Sequence, residues 1–479
     1  MANFDDLMSL DALAQAELIK KGDVKAIELM DATIACIERV NPQLNAVITP
    51  MYDQAREIAK GKLPNGPLAG VPYALKDLAA SYAGVRQASG AKVFKDVIAD
   101  QDSELVVRLK KAGLIIPCKT NTPELGCHVT TEPKLFGPTL NPWDTTRSPG
   151  GSSGGAAALV AAGAIPAAHA NDAGGSIRIP ASACGVFGLK PTRARNSLGP
   201  GMGDWASGLA TEHAVTRSVR DSAAILDATS GPDVGDPYWA PTPKRPFLDE
   251  VGVNPGSLRI AFTTQTIKGL PTHPDCADAV EDVAKLCADL GHEVVEASPA
   301  IDGEVIVNAF TTLFSTGLAG LIDAIGEQSG QTFTADQFEP LTGFTYERGR
   351  SYSASEYLRT VGTIQSISRE IARFFLNYDL WLTPTLTDPP LPLGSFEISS
   401  EQSAQQASDR VWDFVSHTPM CNTTGQPAMS MPLNWNDDNL PIGTHFIGRF
   451  GDEATLFRLA AQLEQARPWA HRKPPVTAL

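Results

Sequence analysis

The chain has 479 residues, 43% of them hydrophobic and 19% charged, the balance of a globular protein with a large core. Its net charge of −15 argues against nucleic acid or an anionic membrane surface as a main partner. Seven cysteines (Cys36, Cys118, Cys127, Cys184, Cys276, Cys287 and Cys421) are odd in number and form no CxxC pair, which fits a reduced, cytoplasmic setting, and the histidines show no metal-ligand spacing, so no metal is expected.

The acidic, amphipathic start MANFDDLMSLDALAQAELIK carries no cleavable signal pattern. Residues 9–20 and 25–40 read as helices; in the second, Ile27, Met30, Ile34 and Ile37 share a face and Pro42 should end it. A helix over 103–112 stops at Gly113, and Leu114–Lys119 follows as a buried strand. The small apolar run Ala156–Ala168 is too short to span a bilayer and contains Gly163 and Pro166, so no membrane segment is expected. Residues 235–258 look irregular. Helix then strand recurs at 275–290 into His292–Ala297 and at 353–377 into Leu380–Leu386. The proline-rich Thr383–Pro392 reads as a surface loop, followed by strands at Pro427–Leu433 and Ile442–Phe450 and a closing helix at 452–466. This alternation predicts an α/β fold: a mixed, mostly parallel central sheet covered by helices on both faces.

Three segments carry the chemistry. Ser148-Pro-Gly-Gly-Ser-Ser-Gly-Gly155 could be a flexible linker. The small-residue helix that follows it and the stiffening Pro149 favour a loop where backbone approaches backbone closely. Its G-x-S-x-G match would make Ser152 the nucleophile of a strand–turn–helix elbow, but the preceding Asn141–Pro149 is turn-like. No Lys follows in the phosphate-loop spacing. In Asn171-Asp-Ala-Gly-Gly-Ser-Ile-Arg178, the glycines leave consecutive amides uncovered, so a tight turn can aim Ala173, Gly174 and Gly175 at one point, as an oxyanion hole requires; the alternative is a plain turn. Asp172 and Arg178 should pair across it. In Gly70-Val-Pro-Tyr-Ala-Leu-Lys-Asp77, Lys76 either snorkels to the surface or is buried, and burial would lower its pKa enough to make it a base. Together the segments offer a nucleophile, a relay, a base and an amide cradle, the equipment of acyl transfer.

These segments, with Gly185-Val-Phe-Gly-Leu-Lys-Pro-Thr192, Lys119–Glu124, Thr216–Asp221, Gly425–Ala428 and Pro441–Gly443, resemble the amidase signature family over nearly the whole chain. The resemblance implies one domain over 1–479: a helical segment about 1–60, the motif core about 65–230, and about 255–466 completing the sheet and pocket. It also implies a Ser–cis-Ser–Lys triad with Ser176 as nucleophile, Ser152 as bridge and Lys76 as base, working without metal or organic cofactor. Val129–Pro133, Asn171-Asp172 and Arg178–Ser182 are similar to the members that open 6-aminohexanoate cyclic dimers, and carbamate-cleaving urethanases look alike too. Three positions depart from those patterns. Cys127 stands where a polar residue is expected near substrate, Phe314 falls near a pocket position, and His445 replaces a glutamine. The expected partners are a small amide or carbamate and water, with a homodimer left open. Two other roles fit the same fold: the amidase subunit of an aminoacyl-tRNA amidotransferase, against which Ile179 in Arg178-Ile-Pro180 argues, and a non-catalytic scaffold.

Overall fold

The computed structural model describes residues 4–398 and 403–479. Residues 1–3 of the amphipathic start lie outside it. Eleven strands form among the described residues: β1 Val47–Pro50, β2 Leu75–Lys76, β3 Cys118–Thr120, β4 Ala167–Asp172, β5 Phe187–Lys190, β6 Thr211–Thr216, β7 Arg259–Phe262, β8 Glu293–Glu296, β9 Leu380–Pro384, β10 Ala428–Trp435 and β11 Pro441–Ile447. They make a three-stranded sheet, β1-β3-β2, and an eight-stranded sheet, β4-β6-β5-β10-β11-β9-β7-β8. A parallel bridge between Ala74 and Ala168 joins the two at the β2 and β4 edges.

Helices cover both faces, as the alternation predicts. On one side, Ala26–Leu44 and Gly154–Ala161 pack with β4 in a core that holds Leu29, Ile37, Leu159, Val160 and Ala168. On the other, Val219–Thr229, Pro274–Asp289 and Glu453–Ala466 pack on the central strands through Leu226, Val280, Val283, Leu456 and Leu459.

The sheet is mixed, but the expectation that it is mostly parallel is wrong. Five of the seven neighbouring pairs in the large sheet are antiparallel, and only β7–β8 and β7–β9 are parallel. The helix Arg178–Cys184 does carry the chain from β4 to a β5 running the same way, but β6 inserts between them and pairs antiparallel with both. β10 and β11 form a hairpin closed by the Asn436 and Leu440 backbone. Local helix–strand alternation cannot reveal a strand inserted from later in the chain.

Local boundaries mostly follow the sequence. Ser103 caps the helix Glu104–Lys111 by accepting from the Val106 amide, and Ser353 caps Ala354–Phe374 with a reciprocal Glu356 contact. Pro42 does not end its helix at once: the helix runs two residues further, to Leu44, with the amide bond that proline cannot make forfeited in its last turn. The strand expected over Leu114–Lys119 is reduced to β3, with Ile115 contributing one bridge to Pro72. The largest element not anticipated is the helix Gly303–Ser329. By length and composition it could cross a membrane, yet 56% of its apolar window is buried in this fold. Its Phe310 and Phe314 face the site described next.

Candidate active site

The site forms where the two sheets meet. β2 ends at Lys76, β4 ends at Asn171 and Asp172, and the loop 148–153 crosses beside them before the helix Gly154–Ala161. Thr131 Oγ donates to the Gly150 carbonyl at 2.9 Å and accepts from the Gly154 amide at 3.1 Å. Ser148 Oγ accepts from the Gly150 amide at 3.1 Å. The loop is therefore a fastened piece of the core and not a linker. No strand precedes Ser152, which removes the elbow reading. Glycine is required at 151, where a Cβ would lie 2.5 Å from the Thr130 carbonyl oxygen. The Gly151–Ser152 peptide is cis.

Lys76 is fully buried. Its Nζ lies 2.7 Å from Ser152 Oγ, 2.9 Å from Ser153 Oγ and 2.6 Å from Asn171 Oδ1. All three are uncharged oxygens. Burial pushes the lysine pKa down to about 7, against the pull of the Glu212 and Asp172 carboxylates. Asp77 is buried as well; it forms an ion pair with Lys119 at 2.7 Å and accepts from the Ala88 and Ser89 amides at 3.1 Å. It shapes the segment that follows β2.

Ser176 sits on a turn braced from behind by Asp172 and Arg178, the pairing the sequence predicts. Asp172 accepts from Arg178 Nε and Nη2, each at 2.9 Å. Burial opposes ionisation of Asp172, but the guanidinium prevails and holds the carboxyl at about 2. Arg178 reaches further, to the Thr418 carbonyl at 2.9 Å, Asn422 Oδ1 at 2.8 Å and His445 Nε2 at 3.0 Å. His445, singled out as a departure from the family pattern, is thus an acceptor for this arginine.

The amide cradle needs one correction. The Gly175 amide donates to Asp172 Oδ1 at 2.7 Å, so it is occupied and cannot also hold an oxyanion. Ile177 donates to the other carboxylate oxygen at 3.2 Å. Among the described residues nothing accepts from the amides of Ala173, Gly174 or Ser176, which leaves these three as the uncommitted donors of the turn. Gly175 has φ of +132°, and a Cβ there would meet Thr418 Oγ at 2.4 Å, so its glycine serves the shape of the turn.

The space before Ser176 has two lobes. The larger, roughly 380 Å³, is walled by Leu78, Phe94 and Trp205 and carries Ser152, Asn171 and Glu212. The smaller, roughly 100 Å³, is walled by Cys127, Ile179, Phe310 and Trp412, and Arg348 lines it as well. Ser176, Gly126 and Phe314 line both. Phe314 stacks on Phe310 at 5.5 Å and meets Trp205 edge-on at 5.3 Å. Cys127 donates weakly to the Leu125 carbonyl, and burial pushes its thiol pKa well up, so it acts as an apolar wall. The structure therefore places Ser152, Ser176, Cys127 and Phe314 on the walls of these two lobes, with Lys76 buried behind Ser152. Ser153, Glu212 and Phe310 were not singled out from the sequence, and Asn171 carried the resemblance without a role. Ser153 lies inside a quoted motif; Glu212 and Phe310 carry no local signal. Among the described residues, no group of three or more His, Cys, Asp or Glu is placed to hold a metal ion.

The amidase family pattern matches residues 28–457, and the chain belongs to that family. It is 40% identical to the 6-aminohexanoate-cyclic-dimer hydrolase of Paenarthrobacter ureafaciens, over 97% of this chain and 96% of that protein. A solved structure of 6-aminohexanoate cyclic dimer hydrolase with substrate superposes with a TM-score of 0.92 at 38% identity, covering 98% of this chain and 99% of that one. A bacterial aryl acylamidase of the amidase signature family superposes with a TM-score of 0.86 at 27% identity, covering 96% and 97%.

Proposed function

We propose that the protein hydrolyses small, uncharged amides or carbamates through an acyl-enzyme on Ser176. The observation that carries this reading is Lys76: buried, set among uncharged oxygens with Ser152 at 2.7 Å, and joined through Ser152 to the cavity that Ser176 lines. With its pKa near 7, Lys76 is substantially neutral at physiological pH and can accept a proton. In the proposed sequence Ser152 passes the Ser176 proton to Lys76, and Ser176 attacks the carbonyl carbon. The free amides of Ala173, Gly174 and Ser176 hold the developing oxyanion. The relay returns the proton to the leaving nitrogen, and water then cleaves the ester by the same route in reverse. All of this runs on side chains and backbone of this chain.

Only the larger lobe carries Ser152. The leaving amine, which must collect its proton there, is assigned to that lobe, and the acyl group to the smaller one. The walls favour apolar groups on both sides, each buried Å² contributing about 25 cal/mol. Cys127 and Phe314 remove polar partners, and an amide left unpaired against them costs about 1–3 kcal/mol. A neutral anilide or aryl carbamate should therefore be a better substrate than the two-amide cyclic dimer named for the relatives. The seven free cysteines, six of them buried, support a cytoplasmic location.

The test is kcat/KM for an acetanilide, an aryl carbamate, the 6-aminohexanoate cyclic dimer and glutamine on one preparation. The expected order is anilide and carbamate above cyclic dimer, with glutamine inert. A serine-directed fluorophosphonate should label Ser176 and spare Ser176→Ala. Preference for glutamine would move the protein toward the amidotransferase role, and no turnover or labelling would make it a scaffold.

A further inference from the structure

Lys76 is held by more than its own contacts, and the second support lies outside the triad. In a parallel pair, one residue's amide and carbonyl bond to residues two apart on the neighbouring strand. His169 of β4 begins that pattern, its amide donating to the Ala74 carbonyl at 2.8 Å. The next bond should run from the Lys76 amide to the His169 carbonyl. Instead the Lys76 amide donates to the His169 ring at Nδ1, at 3.2 Å. That bond fixes the tautomer: Nδ1 carries the lone pair, so the ring proton sits on Nε2. Nε2 points at Glu212 Oε2 on β6, 2.5 Å away. The second oxygen, Oε1, lies 3.4 Å from Asn171 Nδ2, and Asn171 Oδ1 is itself on Lys76 Nζ. Glu212, His169 and Asn171 thus grip the lysine at both ends, its backbone amide and its ammonium nitrogen. Glu212 also lines the larger lobe. β2 is two residues long and pairs along its length with β3, while towards β4 its chain makes one bridge, Ala74 to Ala168, so on that side the His169 ring takes the place of a ladder bond.

The geometry points to Glu212, acting through His169, as a positioning residue that sets both the place and the charge balance of the base. This rests on Lys76 being that base. The charged and titratable groups around Lys76 are few. β4 contributes His169 and Asp172, β6 contributes Glu212, and the loop contributes only the hydroxyls of Ser152 and Ser153. The helix Gly154–Ala161 brings only Gly, Ala, Leu and Val, and on β3 Lys119 is engaged with Asp77. Asp172 is already committed to Arg178, which leaves Glu212 as the carboxylate that balances positive charge forming on Lys76.

The experiment is the pH profile of kcat and kcat/KM on a neutral anilide for wild type, Glu212→Gln, His169→Asn and His169→Ala, with melting temperatures alongside. Glutamine can still accept from the His169 ring but carries no charge. The expected result is that its alkaline-going activity limb moves to lower pH by about half a unit to one unit. His169→Asn, whose amide oxygen can stand in for Nδ1, should keep at least tenfold more kcat than His169→Ala, with KM little changed. An unmoved limb in folded Glu212→Gln overturns the charge role. Equal kcat in the two His169 variants overturns the clamp, and this arm stands even where Glu212→Gln does not fold. Either failure beside a normally active wild type leaves the amidase reading intact, whereas a wild type inert on all amides overturns both.

Discussion

Lys76 and Lys119 stand on neighbouring parallel strands, in register with Thr120 and Leu75 respectively, and both are fully buried. Their surroundings differ in one respect. Lys119 meets a carboxylate, Asp77, at 2.7 Å, and adds the Arg86 carbonyl at 2.8 Å and Gln87 Oε1 at 2.7 Å. Lys76 meets only two hydroxyls and an amide oxygen. Burial lowers both ammonium pKa values, but at Lys119 the touching carboxylate opposes it directly. One lysine is thereby built into an ion pair, and the other is left ready to exchange a proton. The lesson is that burial alone makes neither a base nor a structural cation; the charge of the nearest oxygen decides.

Removing each lysine should separate these roles, with the largest effect on activity. Lys76→Ala should lower kcat/KM on an unactivated anilide by about 10³-fold or more, since members of a catalytic unit fail together. Its stability should fall only by the cavity left in the core, because Lys76 touches no carboxylate that would be stranded. Lys119→Ala should do the reverse: Asp77 is left buried and unpaired, a loss of about 3–5 kcal/mol, while the folded fraction keeps its turnover. Denaturant titrations beside steady-state kinetics check both. Wild-type turnover in Lys76→Ala would dissolve the contrast.

The pH dependence sharpens it. Catalysis needs Lys76 uncharged, so kcat/KM should rise with pH through about 7, the value to which burial brings that lysine. Lys119→Met should keep this limb. A limb that follows Lys119 would reverse the assignment.

How much of this could be read from the sequence differs between the parts. The chemistry was legible because it lies in contiguous segments, where Gly174, Gly175, Ser176 and the Ser148–Gly155 loop reveal backbone exposure without knowledge of the fold. The more distant supports of Lys76 were not. Glu212 lies far along the chain and reaches the site only because β6 inserts beside β4, and no local pattern encodes that insertion. The role of Gly175 was misassigned for a similar reason: exposure of its amide is readable, but the claim of Asp172 on it depends on the turn geometry. Phe310 and Phe314 sit on a helix whose apolar residues run nearly all round, which hides its period.

The smallest expected effect is on stability. Folded, Lys76 has a pKa of about 7; unfolded, it returns to its ordinary 10.5. The folded-state value is depressed, so between these limits the unfolded chain binds more protons than the folded one, and stability must rise with pH. Below pH 7 lysine is charged in both states and the burial penalty is felt in full, without slope. Above it the penalty fades, by at most about 1.4 kcal/mol per pH unit for this one group. Other groups titrate in the same range, so the quantity to measure is the difference in unfolding free energy between wild type and Lys76→Met. Methionine fills the same space with no charge. The difference should favour Lys76→Met at pH 6.5 and shrink steadily by pH 9. If it stays constant across that range, Lys76 is as charged in the fold as Lys119, and the contrast between the two strands is lost.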